Sequence, residues 1–103
     1  MDPIRKAAVA GSWYPGTPAA IAAEVEGYLA SARPPAVPGR LVGLISPHAG
    51  LRYSGPVAAY GYGLLRGRSR LTVIMVGPSH YAAFDGVAVY ARGAFEKIGR
   101  AHV

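Results

Sequence analysis

Two apolar runs, each closed by a proline and a histidine, limit what this chain can fold into more than anything else in it. Leu41-Val42-Gly43-Leu44-Ile45 runs into Ser46-Pro47-His48-Ala49-Gly50, and Leu71-Thr72-Val73-Ile74-Met75-Val76 runs through Gly77 into Pro78-Ser79-His80. Both runs are strand-sized. The second is continuously apolar and rich in β-branched residues, the pattern of a strand covered on both faces. Between them Val57, Tyr60, Gly61, Leu64 and Leu65 recur at helical spacing, with Ser54 as the expected N-cap and Gly55-Pro56 at the start. Strand, helix, strand in that order predicts a right-handed βαβ unit whose two strands lie parallel in one sheet. Ligands in open α/β sheets gather beyond the carboxyl ends of the strands, so His48 and His80 are expected to converge on one crevice.

The flanking sequence extends this α/β reading. Thr17 as N-cap, Pro18 at the first helical position and the stripe Ile21, Val25, Tyr28, Leu29 and Ala32 predict a first helix, with Glu24 and Glu26 outside the stripe. Pro34 to Gly39 cannot continue it and reads as a surface connector. Phe84 to Tyr90 is expected as a further strand. A chain of 103 residues, 51% hydrophobic, is enough for one small domain or part of a larger one and argues against disorder. No run approaches the roughly 20 apolar residues of a membrane span. Ala7 to Ala10 is too short for the apolar region of a signal peptide, which points to a cytoplasmic protein. The chain has no cysteine, which agrees with a reducing compartment and removes thiolate ligands and disulfides from this chain.

The net charge of +6 invites a nucleic-acid reading, with Arg66, Arg68 and Arg70 close together after the second helix. No nucleic-acid-binding motif accompanies them, however, and aromatics do not interleave with the basic run. They are read as a solvated loop whose cations offset a helix dipole, with no nucleic acid and no membrane as partner. The histidines carry more chemistry. Neutral imidazole is the commonest protein ligand for a transition metal, and two of them with a third group suit iron, copper or zinc. A histidine after a proline is equally a surface or hydrogen-bonded residue. A second class also stays open: Gly50, Ser54 and Gly55 as an anion nest at a helix start, binding phosphate through backbone N–H groups.

Three separated stretches make the pattern more specific: AVAGSWYPGTPAAI (8–21), ISPHAGLRYSGPVAAYGY (45–62) and VIMVGPSHY (73–81). In this order and spacing they resemble the N-terminal part of the MEMO1 family, also called AmmeMemoRadiSam system protein B. The resemblance covers Pro3 to about Phe95. It implies an α/β fold, a parallel or mixed sheet with flanking helices, related to the class III extradiol dioxygenases of the LigB type. It also implies that His48 and His80 are metal ligands for iron or copper, and that a further ligand is a cysteine later in longer family members. For the whole protein the resemblance implies a metal-binding, oxygenase-like function on a small-molecule substrate. The alternative is a non-enzymatic interaction module with AmmeMemoRadiSam partner proteins.

Residues 1–97 are therefore expected to be the N-terminal portion of one MEMO1-like domain. Ile98-Gly99-Arg100-Ala101-His102-Val103 reads as a non-native, adapter-derived tail, so His102 receives no role. Such a truncated chain is expected to bind metal weakly and to lack activity. Tyr53 is placed to reach the site as a hydrogen-bond donor or to pack over the second helix. Ser79 would orient His80 from behind or close its own loop. Asp85 is the carboxylate near His80 in sequence and would complete a two-histidine, one-carboxylate set, but its place within the expected strand 84–90 favours exposure to solvent. Trp13 and Tyr14 are expected to staple the N-terminal arm or to line the crevice.

Overall fold

The first helix forms where its local signals place it. The computed structural model describes residues 3–96, and in it α1 spans Pro18–Ser31. Thr17 holds the N-cap in an extended conformation, and its Oγ1 accepts a hydrogen bond from the Ala20 N–H at 3.3 Å. That bond satisfies one of the amides that a helix start leaves free. Ile21, Val25, Tyr28, Leu29 and Ala32 are all half-buried, as their spacing predicts. Glu24 joins them instead of facing outward, because its carboxylate accepts the Tyr28 hydroxyl at 2.7 Å.

The second helix, α2, spans Leu51–Gly63 and starts four residues earlier than its sequence suggests. Gly50, not Ser54, is its N-cap. The reason is that the Trp13 carbonyl takes the first amide, Leu51 N–H, at 2.6 Å. Ser54, left one turn inside, donates its hydroxyl back to the carbonyls of Ala49 and Gly50 at 3.1 and 3.3 Å. The helix accommodates Pro56 within its second turn. Of the expected buried side, Gly61, Leu64 and Leu65 are half-buried as their spacing predicts, but the first turns of the helix are rotated from the expected stripe. Ser54, Gly55 and Ala59 are buried, with Leu51 and Ala58 half-buried, whereas Val57 and Tyr60 face solvent.

Packing of α1 against α2 explains that rotation. A Cβ built on Gly55 would stand 2.5 Å from Tyr28 Cε2 and 2.6 Å from Cδ2. The aromatic ring therefore lies directly on helix backbone, which only glycine permits at that spot. Arg66 closes the far end of the pair with an exposed ion pair to Glu26 at 3.2 Å.

The sheet differs from expectation. Strands β1 (Ile4–Arg5) and β2 (Ala94–Phe95) pair in parallel, Ile4 with Ala94 and Arg5 with Phe95. Phe95 lies between the Tyr90 ring, 4.8 Å away, and the Arg5 guanidinium, 5.6 Å from its centroid. The segments 41–45, 71–76 and 84–90 form no hydrogen-bonded strand, which corrects the βαβ ladder predicted for the first two. In the third, Gly86 has a φ of +85°, a left-handed conformation that interrupts the extended run. For the other two, the reason is cover. Parallel strands are stable when helices protect both faces, and a two-stranded pair alone is marginal. Here Ile45, Ile74, Met75 and Val76 remain 86% exposed or more. Among the described residues Ala59 is the one buried hydrophobic residue, and the radius of gyration is 15.3 Å. A fully packed chain of about 100 residues has a radius nearer 13 Å. The described residues thus form a two-helix α/β chain with a thin core. Residues 98–103 lie outside the described residues, and among the described ones no helix is long and apolar enough to cross a membrane.

Candidate functional site

Each histidine reaches the site on an irregular loop beyond its apolar run. His48 sits two residues before the α2 N-cap, and that position is anchored because the Trp13 carbonyl ties down the helix start. His80 sits beside a turn closed by Ser79, whose hydroxyl donates to the Ala82 carbonyl at 2.6 Å and accepts from the Ala82 N–H at 3.3 Å. These two anchors bring the imidazole rings together. Their centroids are 5.3 Å apart at an interplanar angle of 40°, although the residues are separated by 32 positions and both are exposed.

That separation can be compared with what a shared ion requires. Two imidazoles bound about 2.0–2.1 Å from one ion, in roughly tetrahedral arrangement, have centroids about 5 Å apart. The observed spacing fits such a pair. Iron and copper both accept imidazole nitrogen, so the donor type fits as well. Asp85 does not complete the set: among the described residues no three His, Cys, Asp or Glu side chains come together as a metal group. Two nitrogen donors are what the described chain offers.

The residues expected to support the histidines behave differently. Ser79 is occupied with Ala82, so it shapes the loop and does not orient His80 through its hydroxyl. Tyr53, on the first turn of α2, is 76% exposed and among the described residues makes no hydrogen bond to either ring. Trp13 acts through its carbonyl on Leu51, and its side chain stays largely outside, so the stapling is done by backbone. Gly50, Ser54 and Gly55 form no anion nest. Leu51 N–H is taken by Trp13, Ser54 N–H by Gly50, and Gly55 is covered by Tyr28.

A cavity of about 640 Å³ opens beside His48. Leu41, Leu44, Val73 and Met75 from the two apolar segments line one part, Ala58 and Tyr62 of α2 another. Arg68 also borders it, a residue that the sequence placed only in a basic loop. Nothing in the local pattern signals that role. It arises because the chain turns back after α2, through Gly67 with φ +78°. The Tyr28 phenol, whose ring packs on Gly55, has its pKa raised above the ordinary 10.0, first by the hydrogen bond to Glu24, then by burial and by the Glu24 charge, with Arg52 opposing.

Among the described residues, two helices, a short parallel ladder and a pair of neighbouring imidazoles define a small α/β protein with a candidate two-histidine site. Comparison with known proteins makes this particular: the chain belongs to the Memo-like protein family, whose model matches residues 5–99. It is 36% identical over 108 residues to a MEMO1 family protein of Pyrobaculum aerophilum, covering 97% of this chain and 38% of the relative. It is 39% identical over 100 residues to one of Methanothermobacter thermautotrophicus, covering 90% of this chain and 36% of the relative. Protein MEMO1 of Xenopus tropicalis is 35% identical over 85 residues, 82% of this chain and 28% of that protein. The chain therefore spans between 28% and 38% of the length of these relatives. No solved structure matches it.

Proposed function

We propose that His48 and His80 are two ligands of a transition-metal site, for iron or copper, in a MEMO1-like protein with an extradiol dioxygenase-related fold. The observation that carries this is the 5.3 Å centroid separation of two rings brought together from loops 32 residues apart. Family membership and the position of both histidines beyond matching apolar runs support the same reading. In this chain the role of His48 and His80 is to present nitrogen donors from loops held by Trp13 and Ser79. A bound ion would supply Lewis acidity toward oxygen or a substrate oxygen. Two donors make a weak site, so tight binding and an oxygenase-like activity are assigned to the whole protein, with at least one further ligand.

Calorimetric titration of Fe(II) and Cu(II) into the chain and into His48→Ala and His80→Ala variants tests the ligand assignment. Each substitution is expected to weaken binding at least about tenfold, or about 1.4 kcal/mol. Equal affinity in all three proteins rejects both ligands. For the activity, oxygen consumption by the complete protein with ferrous iron and catechols separates an oxygenase from a scaffold protein, since kinship to dioxygenases does not by itself preserve their chemistry.

A further inference from the structure

Among the described residues Ser54 is the one buried polar residue, and the metal reading gives it no task. Its hydroxyl carries a single proton, which two carbonyls share. The bond to Gly50, at 3.3 Å, is the one a helical serine ordinarily makes, four residues back. The shorter bond, at 3.1 Å, reaches five residues back to Ala49, which lies outside the helix and directly follows His48. The two carbonyls differ in what else holds them. Gly50 also accepts the Tyr53 and Ser54 amides at 2.8 and 3.0 Å. For the Ala49 carbonyl, the Ser54 hydroxyl is the one donor among the described residues. Among those residues the exposed His48 ring makes no hydrogen bond of its own, so its direction follows from the backbone that carries it.

We propose that Ser54 is a positioning residue for His48: its hydroxyl fixes the Ala49 carbonyl, and with it the direction in which the His48 ring leaves the loop toward His80. The proposal rests on the reading of His48 as a metal ligand. Two clamps from separate parts of the chain then hold the residues that follow His48. Trp13 takes the Leu51 amide at 2.6 Å, and its carbonyl stands 3.4 Å from where a Cβ on Gly50 would lie. Ser54 takes the Ala49 carbonyl from within α2. A donor held in place beforehand is spared the ordering cost that a loose one pays when the ion binds. Ala49 itself is exposed, so water replaces the hydroxyl when the side chain is shortened. Alanine is also the better helix former. Loss of the hydroxyl therefore costs folding little while it frees the carbonyl to turn, which separates positioning from stability.

Calorimetric titration with Cu(II) and urea unfolding of the 103-residue chain, of Ser54→Ala and of Thr17→Ala test this. Ser54→Ala is expected to weaken Cu(II) binding about tenfold, the scale of a group that supports a ligand from behind, with an unchanged unfolding midpoint. Thr17→Ala removes the α1 cap and should show the reverse: a lower midpoint and unchanged affinity. Ser54→Thr keeps the hydroxyl and should restore binding. The metal-free chain supplies a second readout, the nuclear Overhauser effect between the two imidazole rings, whose centroids are 5.3 Å apart. It should be lost in Ser54→Ala and kept in Thr17→Ala. Unchanged affinity and ring contact in Ser54→Ala, an equal loss of affinity in Thr17→Ala, or a defect that Ser54→Thr does not repair would each overturn the role of Ser54, while His48 stands as a ligand as long as His48→Ala weakens binding. Unchanged affinity in His48→Ala rejects the ligand reading instead, and the ring contact then decides on Ser54 by itself.

Discussion

Placing a methyl group on Gly55 tests the contact that holds the two helices together. The new Cβ would meet Tyr28 Cε2 at 2.5 Å, Tyr28 Cδ2 at 2.6 Å and Leu51 Cδ1 at 3.3 Å. Carbon atoms rest at about 3.5–4.0 Å, so the ring must withdraw by about 1 Å or the helices must part. Withdrawal is opposed by the Tyr28 hydroxyl, held on Glu24 at 2.7 Å. Overpacking of this kind costs about 1–3 kcal/mol. Against it stands the better helix propensity of alanine, about 0.8–1 kcal/mol. The net expectation for Gly55→Ala is a loss of up to about 2 kcal/mol. Gly27, on α1, supplies the comparison, because nothing lies within 4 Å of a Cβ there. Gly27→Ala should stabilise by nearly the full propensity gain, so the two variants should differ by about 1–3 kcal/mol. Urea unfolding followed by circular dichroism at the helix band measures that difference. Tyr28→Ala in the Gly55→Ala background should return most of it, since the obstructing ring is gone. Equal stabilisation by both glycine substitutions would refute the packing described for α1 and α2.

Thr17→Ala removes the acceptor of the Ala20 amide and should cost about 1 kcal/mol in the same unfolding assay, with Thr17→Ser restoring it; an unchanged midpoint for the alanine variant would remove Thr17 from the cap. The raised Tyr28 pKa predicts a specific pH response. Because the folded state favours the protonated phenol, this stabilisation is complete below the ordinary value of 10.0 and is lost as pH rises through the raised folded value. Stability of the chain relative to Tyr28→Phe should therefore fall across that alkaline window, and parallel pH curves would show that the hydrogen bond to Glu24 carries no linkage.

How far the sequence is legible differs between the elements. In α1 the cap, the proline at the first position and the apolar stripe all act within a few residues, so each could be recognised without knowing any partner. In α2 the same kind of local signal misleads. Ser54 has the chemistry of an N-cap, but the Trp13 carbonyl, about 40 residues earlier in the chain, sets the start at Gly50 and puts Ser54 inside. The buried side of α2 follows from Tyr28 lying on Gly55, a contact that apolar periodicity does not encode, because glycine adds nothing to an apolar stripe. The two-residue strands β1 and β2 are too short to carry a pattern at all, and only their meeting defines them.

For the site, local sequence determines that each histidine follows an apolar run and a proline, since those are neighbours in the chain. Folding decides the rest. The 5.3 Å approach of the rings, the engagement of Ser79 with Ala82 and the exposure of Tyr53 depend on where separate loops are anchored. The apolar runs show the same division from the other side: β-branched residues create a preference for extended backbone, but a strand exists only when another backbone supplies its hydrogen bonds. Composition and spacing therefore determine which segments seek cover and which residues can bind. The tertiary structure alone decides whether cover and partner are present, because those are long-range contacts whose loop-closure entropy no local pattern records.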